Sequence, residues 1–321
     1  MRLGVAPSGR RSAADAVDLA RLAERAGLHD VWVSEDYLER GAFAVAGAIA
    51  AVTERVRVGL GVVNPWTRHV ALMAMEAHAL AEVSAGRSVL GLGASNARWM
   101  QEQLGIPFER PIGVLADYTA ALRVLLAGGR LDGEVLGTQM SCALDATPPQ
   151  QVPIVWGVKG PRALARGAEL ADGLMLSVLS SAGYVRWVRE TYRPTEVTAY
   201  ASFTLDTTTT GARERLRAHT ARYLGMHGAS AITEHAGIDQ DLAAELQRRL
   251  RAGESAAELV DDDCVGAVTI SGTVDDAVAG LLAMRDAGVD SLVVIDDGTA
   301  APEELVSALV RVAREAGLVD G

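Results

Sequence analysis

The stretch Val58-Gly59-Leu60-Gly61-Val62-Val63-Asn64-Pro65-Trp66-Thr67-Arg68 decides the fold of this chain. It begins as an apolar, β-branched run with alternating glycines and then breaks into a polar loop. Parallel strands that are buried on both faces have continuous apolar sequences of this kind. Glycine at the carboxyl end of such a strand lets a planar group approach the backbone closely. The stretch therefore predicts a buried parallel strand whose end borders an active-site mouth.

The same order of strand, loop and helix recurs along the chain. Apolar runs predict eight strands, at residues 3–6, 30–34, 56–63, 87–93, 153–157, 172–177, 197–205 and 291–295. Helical patterns separate most of them, a hairpin turning at Asp132-Gly133 is predicted within residues 131–144, and a mostly helical excursion spans about residues 210–263. The pattern predicts an α/β fold, a (β/α)8 TIM-like barrel with a helical insertion late in the chain, in one domain over residues 1–321. A doubly wound sheet is the alternative, but no Gly-x-Gly-x-x-Gly motif follows the first strand.

Composition and charge exclude several classes of protein. The 321 residues are 49% hydrophobic, and the formal net charge of -11 argues against non-specific nucleic-acid binding. No apolar run reaches the length of a membrane span, and no secretory signal pattern is present, so we expect a cytoplasmic protein. Cys142 and Cys264 match no zinc or redox spacing, and the six histidines form no ligand set, so no metal site is expected. His69 is the one histidine that the pattern places near the mouth.

The strongest candidate site is the segment Gly157-Val158-Lys159-Gly160-Pro161-Arg162, which follows the fifth predicted strand. Catalytic and binding residues of such barrels lie at the carboxyl ends of the strands. The segment also opens a helix, and a helix N-terminus with free N–H groups attracts anions. Lys159 and Arg162 add positive charge. The pattern therefore predicts a phosphate site, with an ordinary tight turn as the alternative.

Two further strand ends carry polar residues. Gly93-Ala94-Ser95-Asn96 lacks the last glycine of a nucleophile motif, and no His–Asp pair stands out to serve Ser95, so a loop that contacts a cofactor is favoured over a nucleophile. A loop without any ligand is the alternative. Glu35-Asp36-Tyr37 follows the second strand. Because neighbours on a strand point to opposite faces, one of the two acids is expected to face the mouth as a general acid. A helix-capping or salt-bridging pair is equally consistent with this sequence.

Together these segments resemble the bacterial-luciferase-like superfamily, and most of all its F420-dependent branch, of the methylenetetrahydromethanopterin reductase type. The similarity rests on residues 31–36, 59–68, 84–87, 90–93, 157–162, 171–173 and 287–290. It implies that the barrel binds coenzyme F420, a 5-deazaflavin, with FMN as the alternative, and that the chain forms a homodimer. It also implies a cis peptide bond at Gly61-Val62. The resemblance and the motifs together give as cofactor-binding residues Gly61, Val62, Asn64, Gly93, Ala94, Ser95, Gly157, Lys159, Gly160, Pro161, Arg162 and Ser177.

The implied activity is hydride transfer between the deazaflavin and a C=C or C=N bond of a small organic substrate. Glu35 or Asp36 would be the catalytic proton donor. Many members carry His as the second residue of this pair, where this chain has Asp36. The difference is consistent with another substrate, with a carboxylate proton donor, or with loss of activity. An FMN-dependent monooxygenase and a non-catalytic cofactor-binding protein are therefore the alternative functions.

Overall fold

The computed structural model describes residues 1–36 and 38–319, and Tyr37, which follows the predicted acidic pair, lies outside the described residues. In chain order the elements are β1 (Arg2–Ala6), α1 (Ala13–Arg25), β2 (Asp30–Val33), α2 (Ala42–Val52), β3 (Arg57–Val63), α3 (Val70–Val83), β4 (Ser88–Gly93), a π-helical turn (Arg98–Gln103), α4 (Pro111–Leu126), β5 (Leu131–Val135), β6 (Thr138–Cys142), β7 (Ile154–Gly157), α5 (Pro161–Leu170), β8 (Gly173–Leu176), α6 (Ala182–Tyr192), β9 (Val197–Ala201), β10 (Phe203–Leu205), α7 (Thr209–His227), α8 (Ala231–Glu234), α9 (Gln240–Ala252), a 3-10 turn (Ala257–Leu259), α10 (Asp262–Val268), β11 (Ile270–Gly272), α11 (Val274–Asp286), β12 (Ser291–Ile295) and α12 (Pro302–Glu315).

The predicted barrel is confirmed. Within the described residues the strands close in the order β1-β12-β9-β8-β7-β4-β3-β2. Every neighbouring pair in this ring is parallel. All eight carboxyl ends therefore meet at one mouth, and α helices cover the outer face of the ring.

The alternating glycines of β3 make room for large side chains inside the barrel. A Cβ atom on Gly59 would lie 2.2 Å from the ring of Trp32, which is completely buried. A Cβ on Gly61 would lie 2.3 Å from the hydroxyl oxygen of Tyr200. Side chains at these two positions would overlap their neighbours, so the glycine pattern of this strand reflects the packing of the barrel core.

An ionic network closes the amino-terminal end of the barrel. The carboxylate of Asp30 is buried and lies 2.9 Å from Nη2 of Arg57. The same guanidinium reaches Glu196, with 2.8 Å between Nη1 and Oε1. A buried charge is tolerated only when it is paired in this way. Charged side chains therefore line the amino-terminal end of the barrel and bind one another there.

The helical excursion packs against the carboxyl end of the barrel. Leu216 and Leu224 of α7 belong to one buried cluster with Met175 and Tyr200 from the barrel interior. The bounds of the preceding strand were wrong, however. The barrel strand β9 ends at Ala201, and β10 leaves the ring to pair with β11, a strand that the sequence did not reveal.

The predicted position of the hairpin turn was also wrong. β5 and β6 pair antiparallel, and Asp132 and Gly133 lie within β5. The turn falls at Leu136-Gly137, whose φ angles are 48° and 78°. Tight hairpins favour two central residues with positive φ, because their twist matches that of the flanking strands. A leucine in this conformation gives no sequence signal.

Candidate active site

The mouth of the barrel gathers the predicted cofactor residues. They follow four strands of the ring: Gly61, Val62 and Asn64 belong to β3 and its loop, Gly93, Ala94 and Ser95 to β4, Gly157 to Arg162 to β7, and Ser177 to β8. Because these strands are neighbours in the barrel, with parallel direction, their loops form one continuous rim. Side chains that are far apart in the sequence therefore border a common space.

The end of β3 carries an irregular backbone. The peptide bond between Gly61 and Val62 is cis, at the position that the family resemblance implies. The pairing of β3 with β4 shifts register between Leu60 and Val63. The Gly61 carbonyl accepts hydrogen bonds from Ser34 Oγ at 2.9 Å and from the Tyr200 hydroxyl at 2.8 Å. These two hydroxyl groups fix the direction of that carbonyl at the floor of the mouth.

Val62 fills the space left by two glycines on neighbouring strands. A Cβ on Gly93 would lie 2.3 Å from Val62 Cγ2, and a Cβ on Gly157 would lie 2.6 Å from Val62 Cγ1. Gly157 was interpreted from the sequence as a glycine that frees backbone N–H groups for an anion. The structure gives it a steric reason as well, because any larger residue there displaces Val62.

This contact predicts a coupled stability effect. Replacing Gly157 by Ala should destabilise the protein by about 1–3 kcal/mol, because an overpacked core must shift its backbone or side chains. In a Val62→Ala background the same replacement should cost clearly less. Urea unfolding of both single variants and the double variant measures the difference. Gly160→Ala is the matched control, since a Cβ at that position would have no atom within 4 Å. Strict additivity of Gly157→Ala and Val62→Ala would contradict the steric explanation.

The turn after β7 presents an uncapped helix N-terminus. Gly160 is the N-cap of α5, and no side chain caps the first N–H groups of this helix. Arg162 is exposed and forms no hydrogen bond or ion pair with any other described residue. The first N–H groups of a helix carry partial positive charge and need a partner. The turn therefore has the donors and the charge to bind a phosphate group.

Lys159, in the same turn, is the single lysine of the chain. Its Nζ atom lies 3.4 Å from Nδ1 of His227, the last residue of α7. The Nε2 atom of His227 lies 2.8 Å from the Val178 carbonyl oxygen. Burial, with the charge of Lys159, lowers the pKa of His227 to about 4. The imidazole is therefore neutral near pH 7, donates through Nε2 and accepts from Lys159 through Nδ1.

His69, which the sequence pattern places near the mouth, caps a helix there. It is the N-cap of α3, and its Nδ1 accepts a hydrogen bond from the Ala71 N–H at 3.3 Å. A side chain that accepts such a bond satisfies one of the unpaired donors of a helix start. Its position at the mouth reflects the start of a helix, and its ring is already engaged.

The two acids after β2 have different surroundings. Both Glu35 carboxylate oxygens bind the Arg68 guanidinium, with Nη2 at 2.7 Å from Oε1, and Oε1 also accepts from the Ala42 N–H at 3.3 Å. Asp36 is accessible to solvent, yet the surrounding protein removes part of its hydration. This desolvation, and then the negative charge of Glu39, raises the pKa of Asp36. Glu35 is therefore held in an ion pair, whereas Asp36 keeps a solvent-exposed carboxyl group.

Two buried polar groups near the mouth lack protein partners. Asn64 Oδ1 accepts from the N–H groups of Trp66 at 2.9 Å and Thr67 at 3.2 Å, but its Nδ2 has no partner among the described residues. Ser95 Oγ also has no partner among the described residues, and the backbone φ angle of Ser95 is 60°. A buried donor without a partner is unfavourable, so both groups are suited to bind the polar edge of a ligand. The backbone carbonyl of Ser177 accepts a hydrogen bond from Ser180 Oγ at 2.6 Å.

Helix α7 adds a side of the mouth that the sequence analysis missed. His219 Nε2 lies 2.9 Å from Ser202 Oγ, and the His219 and Tyr223 rings lie 4.7 Å apart. Arg222 lies over the Tyr223 ring at 5.9 Å. Burial, and then the negative charge of Asp36, raises the pKa of Tyr223. The spacing of His219, Tyr223 and His227 by four residues is a signal of a common helix face.

Across residues 1–36 and 38–319, no group of three or more His, Cys, Asp or Glu side chains is arranged to hold a metal ion. In the same part of the chain, no helix combines the length and the apolar character that crossing a membrane requires.

The model of the luciferase-like monooxygenase family matches residues 1–291. The chain therefore belongs to this family and is an enzyme. The resemblance seen in the sequence is confirmed. It is similar to the 5,10-methylenetetrahydromethanopterin reductase of Methanolobus tindarius, with 28% identity over 289 residues, 85% of this chain and 87% of the relative.

Solved structures show the same fold. The coenzyme F420-dependent tetrahydromethanopterin reductase from Methanopyrus kandleri superposes with a TM-score of 0.83 at 22% identity, covering 97% of each chain. An F420-dependent secondary alcohol dehydrogenase in complex with an F420–acetone adduct gives a TM-score of 0.77 at 16% identity, covering 98% of each chain. At these identities the likeness concerns the fold alone.

Proposed function

We propose that the protein is an F420-dependent oxidoreductase that transfers a hydride between the deazaflavin and a C=C or C=N bond of a small organic substrate. The observation that carries the proposal is the combination of an uncapped α5 N-terminus with unpartnered polar groups on the same rim. The names of the relatives add support, since F420-dependent oxidoreductases recur among them. When bound, the deazaflavin supplies a carbon that accepts or donates a hydride, and the protein supplies position and a proton.

The residues present fit such a cofactor. Gly160 offers open space beside the helix start, and Arg162 offers an unpaired guanidinium, so this turn would hold the phosphate. Asn64 Nδ2 and Ser95 Oγ would donate to the polar edge of the ring system. The proposed cofactor-binding set is Gly61, Val62, Asn64, Gly93, Ala94, Ser95, Gly157, Lys159, Gly160, Pro161, Arg162 and Ser177.

Asp36 is proposed as the proton donor, in the direction of substrate reduction. Its side chain is exposed just after the carboxyl end of β2, and its raised pKa keeps a larger fraction protonated than for an ordinary aspartate. Glu35 is proposed as a positioning residue, because its carboxylate is already bound by Arg68 and lies against the start of α2. A carboxyl group at position 36 thus replaces the imidazole found in many family members.

The experiment that tests the function compares two cofactors. Purified protein is titrated with oxidised F420 and separately with FMN, and cofactor fluorescence and the absorbance of the complex are recorded. We expect saturable binding of F420, followed by oxidation of reduced F420 with a panel of unsaturated and imine substrates. Binding of FMN but not of F420, with oxygen consumption when reduced FMN is supplied, would instead identify a monooxygenase. F420 binding without turnover of any substrate would identify a non-catalytic binding protein.

We also propose that the enzyme is a homodimer that pairs through α2 and α3. Both helices are apolar on their outer sides, and three large side chains of α3 are markedly exposed: Leu72 by 54%, Met75 by 55% and Val83 by 50%. Val52 at the end of α2 is 36% exposed. An apolar surface across two adjacent helices is typical of a contact between copies of a chain.

Leu72→Glu should therefore convert the dimer into a monomer, because it places a charge in an apolar contact on both subunits. Light scattering coupled to gel filtration measures the mass. Val124→Glu is the matched control, since Val124 is 38% exposed on a different helix. A monomeric wild-type protein, or a Leu72→Glu variant that stays dimeric, would contradict this interface.

A further inference from the structure

Arg222 is held beside the mouth by a series of aromatic and polar contacts. Its guanidinium carbon lies 5.9 Å from the centre of the Tyr223 ring. The Tyr223 ring lies 4.7 Å from the ring of His219, and His219 is bound to Ser202, which directly follows β9. These contacts run from the barrel strand to the helix, so Arg222 borders the space above the strand ends.

The guanidinium of Arg222 has no polar partner. Within residues 1–36 and 38–319 it forms no ion pair or hydrogen bond, although its side chain is exposed. Its positive charge opposes the desolvation that raises the pKa of Asp36. An unpaired arginine at this place presents five N–H donors to whatever enters the mouth.

Arg10 approaches the same region from the loop after β1. Its backbone N–H is fixed by Ser8 Oγ at 3.2 Å, and no side-chain partner is found for it in the described part of the chain. The loop after β1 lies at the carboxyl end of the barrel strands, so Arg10 borders the same mouth as Arg222. Neither arginine forms an ion pair with Asp36 or Glu39 in residues 1–36 and 38–319.

We propose that Arg222 and Arg10 bind a carboxylate or phosphate group of the substrate, so that the enzyme acts on an anionic small molecule. The planar fork of arginine matches both groups and binds them with two parallel hydrogen bonds. The inference rests on the proposed function, because it places this anion beside the cofactor. Arg10 lies across the ring from the phosphate turn, since β1 and β7 are on opposite sides of the barrel.

The test uses calorimetry on protein saturated with oxidised F420, so that the phosphate turn is already filled. Succinate and inorganic phosphate are titrated separately, and the anion that binds identifies the chemical group. We expect saturable binding of one of them and a Kd at least about tenfold higher for Arg222→Gln, as expected for losing a charge-assisted hydrogen bond. Arg222→Lys, which keeps the charge, should lose less. Arg251→Gln on α9 is the control for removing an exposed arginine elsewhere.

Three results would overturn the inference. They are no saturable binding of either anion, an unchanged Kd for Arg222→Gln, and displacement of F420 by the anion, which would place it in the phosphate turn. Cofactor fluorescence, recorded before each titration, separates the two proposals. Protein that does not bind F420 contradicts the proposed function, whereas protein that binds F420 but no anion contradicts only the anionic substrate. Circular dichroism of each variant establishes that it is folded.

Discussion

Replacing Gly160 by Glu should weaken F420 binding by about 100-fold. Like charges about 6 Å apart near a protein surface repel by about 3 kcal/mol, which corresponds to roughly this factor in affinity. The change should leave the fold intact, because Gly160 has φ of -93° and ψ of 152°, which any residue adopts. A Cβ added there would have no atom within 4 Å. The measurement is a fluorescence titration with oxidised F420.

Gly160→Gln separates charge from size. This neutral variant should lose only a small part of the affinity, and thermal unfolding should be similar for both variants and the wild type. Added salt should reduce the difference between Glu and Gln, because it screens exposed charges. Equal affinities of the Glu and Gln variants would place the cofactor phosphate away from α5. Gly157 is a poorer choice for this test, since a larger residue there displaces Val62.

Asp36→Asn should slow substrate reduction by about 100-fold or more, because a positioned general acid contributes this much to a rate. F420 affinity should stay within a few fold, since Asp36 is proposed to serve the substrate. The wild-type rate of reduction should fall as pH rises through the raised pKa of Asp36, because only the protonated carboxyl donates. The reverse reaction should rise over the same range. Stopped-flow oxidation of reduced F420 measures both profiles.

Glu35→Gln is the comparison for this variant. It removes the charge that holds both carboxylate oxygens of Glu35 to Arg68, so we expect lower thermal stability. The pH profile of the reduction rate should keep its shape. A full rate in Asp36→Asn, or a pH profile that is unchanged by it, would remove Asp36 from the mechanism. Loss of the pH dependence in Glu35→Gln instead would exchange the roles of the two acids.

The barrel could be predicted from the sequence because its physical signals are local. A strand buried on both faces needs an unbroken apolar run, and a parallel neighbour needs a helical crossover between the two. Both features can be read within a few residues, as in the segment from Val58 to Val63. The errors fell where geometry depends on distant partners: β10 leaves the ring because β11, more than sixty residues later, pairs with it.

Parts of the candidate site also have local sequence signals. The turn from Gly157 to Arg162 carries its own signal, since glycine, proline and a cation at a helix start are contiguous. The division of roles between Glu35 and Asp36 depends on Arg68, which reaches Glu35 across 33 positions of sequence. The face of α7 was missed because helix residues that line a mouth resemble ordinary surface residues until the helix is placed.

The contact between Lys159 and His227 gives the protein an internal reporter. Since no other lysine is present, reductive methylation with ¹³C-formaldehyde introduces a single side-chain resonance, distinct from that of the chain terminus. That nucleus lies where the rim of the β7 turn meets the end of α7. Its chemical shift should change when a ligand binds at the turn. Binding can then be titrated without knowledge of the substrate of the enzyme.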